Sequence, residues 1–346
     1  MSAGRRFRVA LCGYYGFGNL GDELLASALL DALEKSGVSR NEILLLSGSP
    51  GDTARVHGVH AVFRWSVPKV FAALRMSETL LLGGGGLFQD VTSRRSSLYY
   101  WGIVRLALLA GAVPWCAGQS LGPFRTRCGE AFARSAMKAC AVRGVRDCSA
   151  MKRLSGWGLD AVLTSDPVFS LECPADVLLS EDELIVNIRP WPGALPRRTA
   201  EESTRLAGQR NLEITGFALA PEDVGEMERL RQEGVFPAKQ IVLLSGENWR
   251  SEVERVFSRA AGVVSMRFHA SVLALLCGRA LTTVAYDPKV QALSSQERIP
   301  CWDGSGLLPE PRLPENRGDV SGERIVFQEK FSAMWSAVMR LLEKKE

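Results

Sequence analysis

Apolar runs of four to seven residues alternate with longer stretches of helical period along the chain. In the first half these runs fall at residues 8–12, 42–46, 79–82, 113–117 and 139–142. Helical periodicity marks residues 22–35, 68–75, 98–110, 130–137 and 147–154 between them. Strands that are apolar throughout, separated by helices, predict a parallel sheet covered on both faces. The pattern then restarts, with strands at 184–188, 213–219, 240–244, 262–265 and 281–285. Its helices are expected at 200–207, 222–232, 251–259 and 268–277. Cys173-Pro174 and the acidic residues within 172–182 interrupt the apolar pattern and mark a boundary. Residues 303–322, rich in Gly, Pro and charge, read as an exposed connection, and 323–345 as a closing amphipathic helix. The expected class is α/β, with two Rossmann-like domains facing a cleft. One covers residues 1–175, and the other covers 176–346 and carries the closing helix. Such sheets hold ligands at the carboxyl ends of their strands, so strand-to-loop junctions are where chemistry is sought.

Four junctions carry it. The first, Gly13-Tyr14-Tyr15-Gly16-Phe17-Gly18-Asn19-Leu20-Gly21-Asp22-Glu23, follows a strand and opens a helix. Glycines there admit positive φ and close backbone approach, and a helix N-terminus favours an anion. Its glycine spacing mimics a dinucleotide fingerprint, but the aromatic pair and the Asn-x-Gly-Asp-Glu ending do not. A ligand-facing loop and a tight structural turn both fit, with Asp22 and Glu23 in the latter case acting as first-turn acids. The second junction is Leu82-Gly83-Gly84-Gly85-Gly86. Four glycines lose much backbone entropy on folding, so something approaches that backbone. Either a packed neighbour or a substrate, lying against Gly84 and Gly85, meets the requirement.

The third is Ile188-Arg189-Pro190-Trp191-Pro192, where an arginine at a strand end beside an aromatic is placed to fork onto a carboxylate or phosphate. An interdomain ion pair is the alternative. The fourth is Ser265-Met266-Arg267-Phe268-His269-Ala270-Ser271, leading into a helix apolar on every side. His269 sits near that helix's N-terminus, where the dipole disfavours imidazolium and makes the ring a better proton donor. A bound anion pulls the other way. His57 and His60 fall in a loop-like segment, which leaves His269 as the acid–base candidate of its type. Tyr286-Asp287-Pro288-Lys289 and Arg143 with Arg146-Asp147 add further cations after strands.

Composition narrows the class. The 346 residues suit two domains, and 46% hydrophobic with 23% charged residues is the balance of a globular protein. Forty-two basic against 38 acidic residues leave +4, too even a balance to demand nucleic acid. The eight cysteines are dispersed without a C-x-x-C pair, which disfavours zinc and fits reduced thiols in the cytoplasm. The apolar run after the N-terminal basic residues is broken by glycines and makes no signal peptide. The longest apolar stretch, about 104–117, contains Arg105, Gly111 and Pro114 and spans no bilayer.

At these residues the chain resembles the polysaccharide pyruvyl transferase family, particularly the bacterial members that act on secondary cell-wall polymers (the CsaB type). The resemblance rests on Gly13 through Glu23, the four glycines from Gly83, Val145-Arg146-Asp147 and Asp166-Pro167. It continues through Arg189-Pro190-Trp191, Arg267-Phe268-His269-Ala270 and Tyr286-Asp287-Pro288-Lys289. Phe268 stands where the family more often has leucine. The resemblance implies a GT-B-like fold, phosphoenolpyruvate as donor, and a product in which pyruvate C2 forms a ketal with two sugar hydroxyls as phosphate leaves. No metal, nucleotide or other cofactor is expected. His269 and Arg267 are the expected catalytic pair. Arg189, Arg267 and Lys289, with Arg146 as a fourth, are expected to bind the donor, and Gly18, Asn19, Asp22, Glu23, Gly84 and Gly85 to line the substrate site. The expected partners are phosphoenolpyruvate and a saccharide acceptor, with no nucleic acid and at most peripheral membrane contact through Arg5 and Arg6. The acceptor's identity, its lipid linkage and the oligomeric state are not legible. A nucleotide-sugar glycosyltransferase predicts the same fold, with Glu247 available to a ribose. A non-catalytic binder of anionic sugars would keep the arginines without needing His269. A nicotinamide dehydrogenase fits least, because Glu42 precedes its strand instead of ending it.

Overall fold

The computed structural model describes residues 5–91, 95–172, 179–315 and 319–344. Two compact units are present: residues 1–17, 22–171 and 322–346 in the first, and 18–21 with 172–321 in the second. Cys173-Pro174, expected at the boundary, lies outside the described residues.

The first unit begins with β1 (Phe7–Tyr15), α1 (Leu20–Lys35), β2 (Ile43–Ser47), α2 (Pro50–His57) and β3 (His60–Phe63). It continues with α3 (Val67–Arg75), β4 (Ser77–Phe88), α4 (Ser96–Leu109) and β5 (Val113–Leu121). The remaining elements are α5 (Arg127–Ala139), β6 (Arg143–Val145), α6 (Cys148–Gly156) and β7 (Val162–Leu163). Its sheet is parallel throughout, in the order β3-β2-β1-β4-β5-β6-β7. Strand alternation divides the core between the two faces. On β1, Ala10 and Cys12 pack with Val104 and Ala136 of α4 and α5, whereas Val9 and Leu11 pack with Leu29 and Leu33 of α1. Burial pushes the Cys12 thiol up to about 11, with Arg64 pulling it the other way.

The second unit contains β8 (Glu183–Asn187), α7 (Leu195–Arg210), β9 (Glu213–Ala218), α8 (Pro221–Gln232) and β10 (Gln240–Leu243). Then follow α9 (Trp249–Phe257), β11 (Ala260–Ser265), α10 (Phe268–Leu276), β12 (Leu281–Val284), α11 (Pro288–Glu297) and β13 (Cys301–Trp302). This sheet is also parallel, in the order β10-β9-β8-β11-β12-β13. Its core joins Val186, Ile188, Ala218, Phe236, Val264 and Trp302.

The last helix, α12 (Asp319–Glu343), corrects the expected division. It was expected to close the second half, yet Phe327, Phe331, Met334, Trp335 and Val338 pack into the first unit's core beside β1, β4 and β5. These residues recur at helical spacing and form one apolar stripe. Trp115 of β5 meets Phe331 and Trp335 with ring centroids 5.6 and 5.7 Å apart. Packing decides the assignment: the face of the sheet that carries Leu11, Leu81 and Trp115 needs the cover that α12 supplies.

Candidate functional site

In the first unit the chain runs outward from β1 through β2 to β3, and from β4 toward β7 on the other side. The order therefore reverses between β1 and β4, the place where open parallel sheets hold ligands. Both glycine-rich segments end there. Glu23, in the first turn of α1, turns back on the loop: one carboxylate oxygen accepts the Gly16 N–H at 2.8 Å. The other meets His57 Nε2 at 2.9 Å. His57 ends α2, is 5% exposed, and is a residue the sequence reading passed over as loop. Glu23 is thus committed to shaping the loop.

The second glycine run continues β4 instead of ending it. Gly84 has φ +63°, and a Cβ on it would lie 2.8 Å from Leu25 of α1. The Tyr15 hydroxyl donates to the Gly83 carbonyl at 2.8 Å. The close neighbour these glycines require is therefore α1 and the end of β1. Gly85 is less crowded, with Leu25 at 3.2 Å and the Asp22 carboxylate at 4.0 Å from an added Cβ. Arg146 is already engaged: its Nη1 pairs with the buried Asp166 at 2.5 Å and its Nε donates to Ser120 Oγ at 2.7 Å. Asp166 in turn caps the short turn at Pro167–Ser170. An anion would have to displace Asp166 to reach this side of the guanidinium.

In the second unit the order reverses between β8 and β11. Asn187, at the end of β8, ties the region together. Its amide donates to the Phe217 carbonyl at 2.7 Å and its Oδ1 accepts the Arg267 N–H at 2.8 Å. Two arginines follow these neighbouring strands and differ in their company. Arg267 is at the N-cap of α10, and its side chain faces the first turn of α8. Its Nε and Nη2 grip both oxygens of Asp223, each at 2.6 Å, and Nη2 also donates to Glu222 at 2.9 Å. Burial works against the charge on Arg267, but these two carboxylates outweigh it. The Glu222 carboxyl is held below its ordinary range: burial raises it, but its own backbone N–H, Arg267 and Arg189 bring it down. The Arg267 guanidinium is thus ion-paired within its own unit, at the start of α10.

Arg189 has different surroundings. Its guanidinium lies 5.5 Å from the Trp191 ring and 5.0 Å from the Tyr286 ring, and Nη1 approaches the Tyr286 hydroxyl at 3.3 Å. Trp191 and Tyr286 meet edge to face at 4.9 Å. Among the described residues no carboxylate lies within ion-pairing distance of Arg189. Lys289 is exposed in the first turn of α11, with Asp287 at 3.8 Å. His269 occupies the first turn of α10, and its ring meets Phe268 edge to face. Residues 18–21 group with this unit. There the Gly21 N–H donates to Asn19 Oδ1 at 3.3 Å, and a Cβ on Gly21 would lie 2.2 Å from His269 Nδ1. The ring thus occupies the space that a side chain at position 21 would need. Among the described residues no cluster of three or more His, Cys, Asp or Glu could hold a metal ion. No described helix is long and apolar enough to cross a membrane.

Two parallel-sheet α/β units, each with its motifs at a strand-order reversal, define a protein of the GT-B-like class. The chain belongs to the polysaccharide pyruvyl transferase family, whose model matches residues 19–288. No curated protein matches it in sequence. Among solved structures, UDP-GlcNAc 2-epimerase from Methanocaldococcus jannaschii shares the fold at 9% identity and a TM-score of 0.62, covering 94% of this chain and 99% of that one. UDP-GlcNAc 2-epimerase from Neisseria meningitidis, bound to UDP-GlcNAc, matches at 10% identity with a TM-score of 0.56 over 98% of this chain and 99% of that one. A glycosyltransferase from Rickettsia africae matches at 10% identity with a TM-score of 0.52 over 98% of this chain and 97% of that one. At such identities the likeness is one of fold alone.

Proposed function

We propose that the chain transfers pyruvate from phosphoenolpyruvate to two hydroxyls of one saccharide unit, in the cytoplasm, as a step in making a cell-wall or exopolysaccharide. The secondary cell-wall type of acceptor is part of this reading. The observation that carries it is Arg189. This guanidinium follows a strand at the order reversal, is framed by two aromatic rings, and has no ion-pairing carboxylate among the described residues. Such a group favours a carboxylate or phosphate over a neutral ligand. Lys289, loosely paired and exposed, supplies a second cation on the same unit.

In the proposed reaction, His269 gives a proton to the methylene carbon of phosphoenolpyruvate while a first sugar hydroxyl adds to C2. The hydroxyl proton returns to the ring, leaving a tetrahedral carbon that bears methyl, carboxylate, phosphate and sugar oxygen. A second hydroxyl then displaces phosphate from C2 and closes the ketal, and its proton leaves with the phosphate. The atoms balance as one donor and one diol giving one ketal and one inorganic phosphate, with no change that calls for a redox cofactor. Arg267 holds the start of α10, and with it His269, through Asn187 and Asp223.

The test is thermal unfolding with phosphoenolpyruvate and, separately, UDP-sugars. A ligand at ~100 times its dissociation constant stabilises the native state by about 2.7 kcal/mol. Phosphoenolpyruvate is expected to raise the midpoint, and Arg189→Ala to remove most of the rise, because a lost charge-assisted contact costs ~1.5–3 kcal/mol. A rise with UDP-sugars and none with phosphoenolpyruvate would replace this reading with nucleotide-sugar transfer.

A further inference from the structure

The first unit exposes aromatic faces that its own core does not use. Tyr14 and Phe17, flanking the end of β1, stack with ring centroids 4.3 Å apart and planes inclined at 15°. They remain 46% and 38% exposed, and Trp65, just after β3, is 56% exposed. Folding ordinarily hides such rings, and three left open around one shared cation mark a contact surface for something else.

The rings are also held in place from beneath. Arg64 is only 3% exposed, and its guanidinium lies 5.8 Å from Tyr14, 5.3 Å from Phe17, 5.3 Å from Trp65 and 4.3 Å from Tyr99. Its Nη1 donates to the Gly13 carbonyl at 2.6 Å and its Nη2 to the Tyr100 hydroxyl at 3.3 Å. Arg64 Nε is buried and has no hydrogen-bond partner among the described residues. A buried donor left unmatched carries a cost, and here the guanidinium's contacts with four of the surrounding rings offset it. Tyr99 meets Trp65 at 4.9 Å and donates its hydroxyl to the Arg64 carbonyl at 3.3 Å. The cluster is thus set before any ligand arrives, so little side-chain freedom is lost on binding.

We propose that Tyr14, Phe17 and Trp65 form the stacking platform for a pyranose ring of the saccharide acceptor, with Arg64 as its positioning residue. This rests on the saccharide acceptor assigned above. A sugar ring is the occupant that fits. One of its faces presents C–H groups suited to an aromatic face, while its rim of hydroxyls suits the surrounding water. The glycine loop that carries Tyr14 and Phe17 follows β1 at the order reversal, where open parallel sheets hold ligands, so two of the three rings lie beside that position.

The experiment is saturation-transfer NMR on the full chain, with methyl pyranosides and short oligosaccharides of hexose and N-acetylhexosamine as probes. Sugar ring protons are expected to receive saturation. Dissociation constants are expected to rise at least ~10-fold, about 1.4 kcal/mol, in Tyr14→Ala, Phe17→Ala and Trp65→Ala, and to recover in Tyr14→Phe. Circular dichroism identifies any variant that fails to fold, and the conservative Trp65→Phe then replaces it. Unchanged saccharide binding in the alanine variants overturns the proposal, as does an absence of binding by every probe. Sedimentation with phosphatidylglycerol vesicles that the alanine variants lose, without any change in saccharide binding, also overturns it and makes the patch a membrane contact. The phosphoenolpyruvate shift separates the two readings. A shift kept by variants that bind sugar normally removes the platform alone. Platform-dependent sugar binding without a response to phosphoenolpyruvate removes pyruvyl transfer alone.

Discussion

Arg189 and Arg267 follow neighbouring strands of one sheet, and the charge around each sets its use. Arg267 is spent on Asp223 and Glu222, so Arg267→Ala strands a buried carboxylate and is expected to lower stability by ~3–5 kcal/mol in urea unfolding. Arg189→Ala leaves no such orphan. Its urea midpoint is expected to stay near that of the wild type while the response to phosphoenolpyruvate falls. His269→Ala is expected to keep that response and to lower turnover, read as phosphate released in the presence of acceptor, by ~10²–10⁴-fold. Near-normal turnover would remove His269 from the proton step. Both arginines and His269 were visible in the sequence as polar residues at apolar strand ends. Invisible was the partnership with Glu222 and Asp223, 45 and 44 residues away, which exists only because the turn after β9 points the start of α8 at Arg267. His57 was missed for a similar reason: its partner Glu23 lies 34 residues upstream.

At the scale of elements, the long apolar runs were read correctly because burial on both faces leaves a strand little room for polar residues. The expected strand at 139–142 instead begins as the end of α5, and the regular ladder starts at Arg143. Ala141 and Val142 already exchange hydrogen bonds with β5, through Pro114 and Cys116, so the apolar signal marked the strand's approach. Helix α2 falls where the sequence around His57 reads as loop-like. In the fold Pro50 opens the helix, where its missing N–H costs nothing, and Gly58 closes it at φ 65°. Helix α12 was recognised as amphipathic, but its stripe carries no address. Since Trp335 is 4% exposed and packs on Trp115, Trp335→Ala is expected to cost ~3–5 kcal/mol, measured by urea unfolding of the first unit. A loss within ~0.5 kcal/mol, the ordinary range for surface positions, would mean that the helix is not a core element.

For the whole molecule, the two units differ in how the chain builds them. Most of the second is one continuous stretch, residues 172–321, whereas the first needs residues 322–346 returned from the far end. A fragment of residues 172–321 is therefore expected to unfold cooperatively by circular dichroism, while a fragment of residues 1–171 loses its cooperative transition until α12 is supplied. Independent cooperative folding of residues 1–171 would overturn the structural role given to α12. The sequence by itself determined two parallel α/β sheets and the strand ends that carry the motifs, because periodicity, glycine runs and polar residues after apolar strands are local properties. Only the tertiary structure decided which sheet α12 covers, which arginine is already neutralised, and that aromatic rings from the end of β1, the turn after β3 and α4 share one buried guanidinium. Those outcomes depend on packing and charge pairing between residues far apart in the chain, which local spacing does not encode.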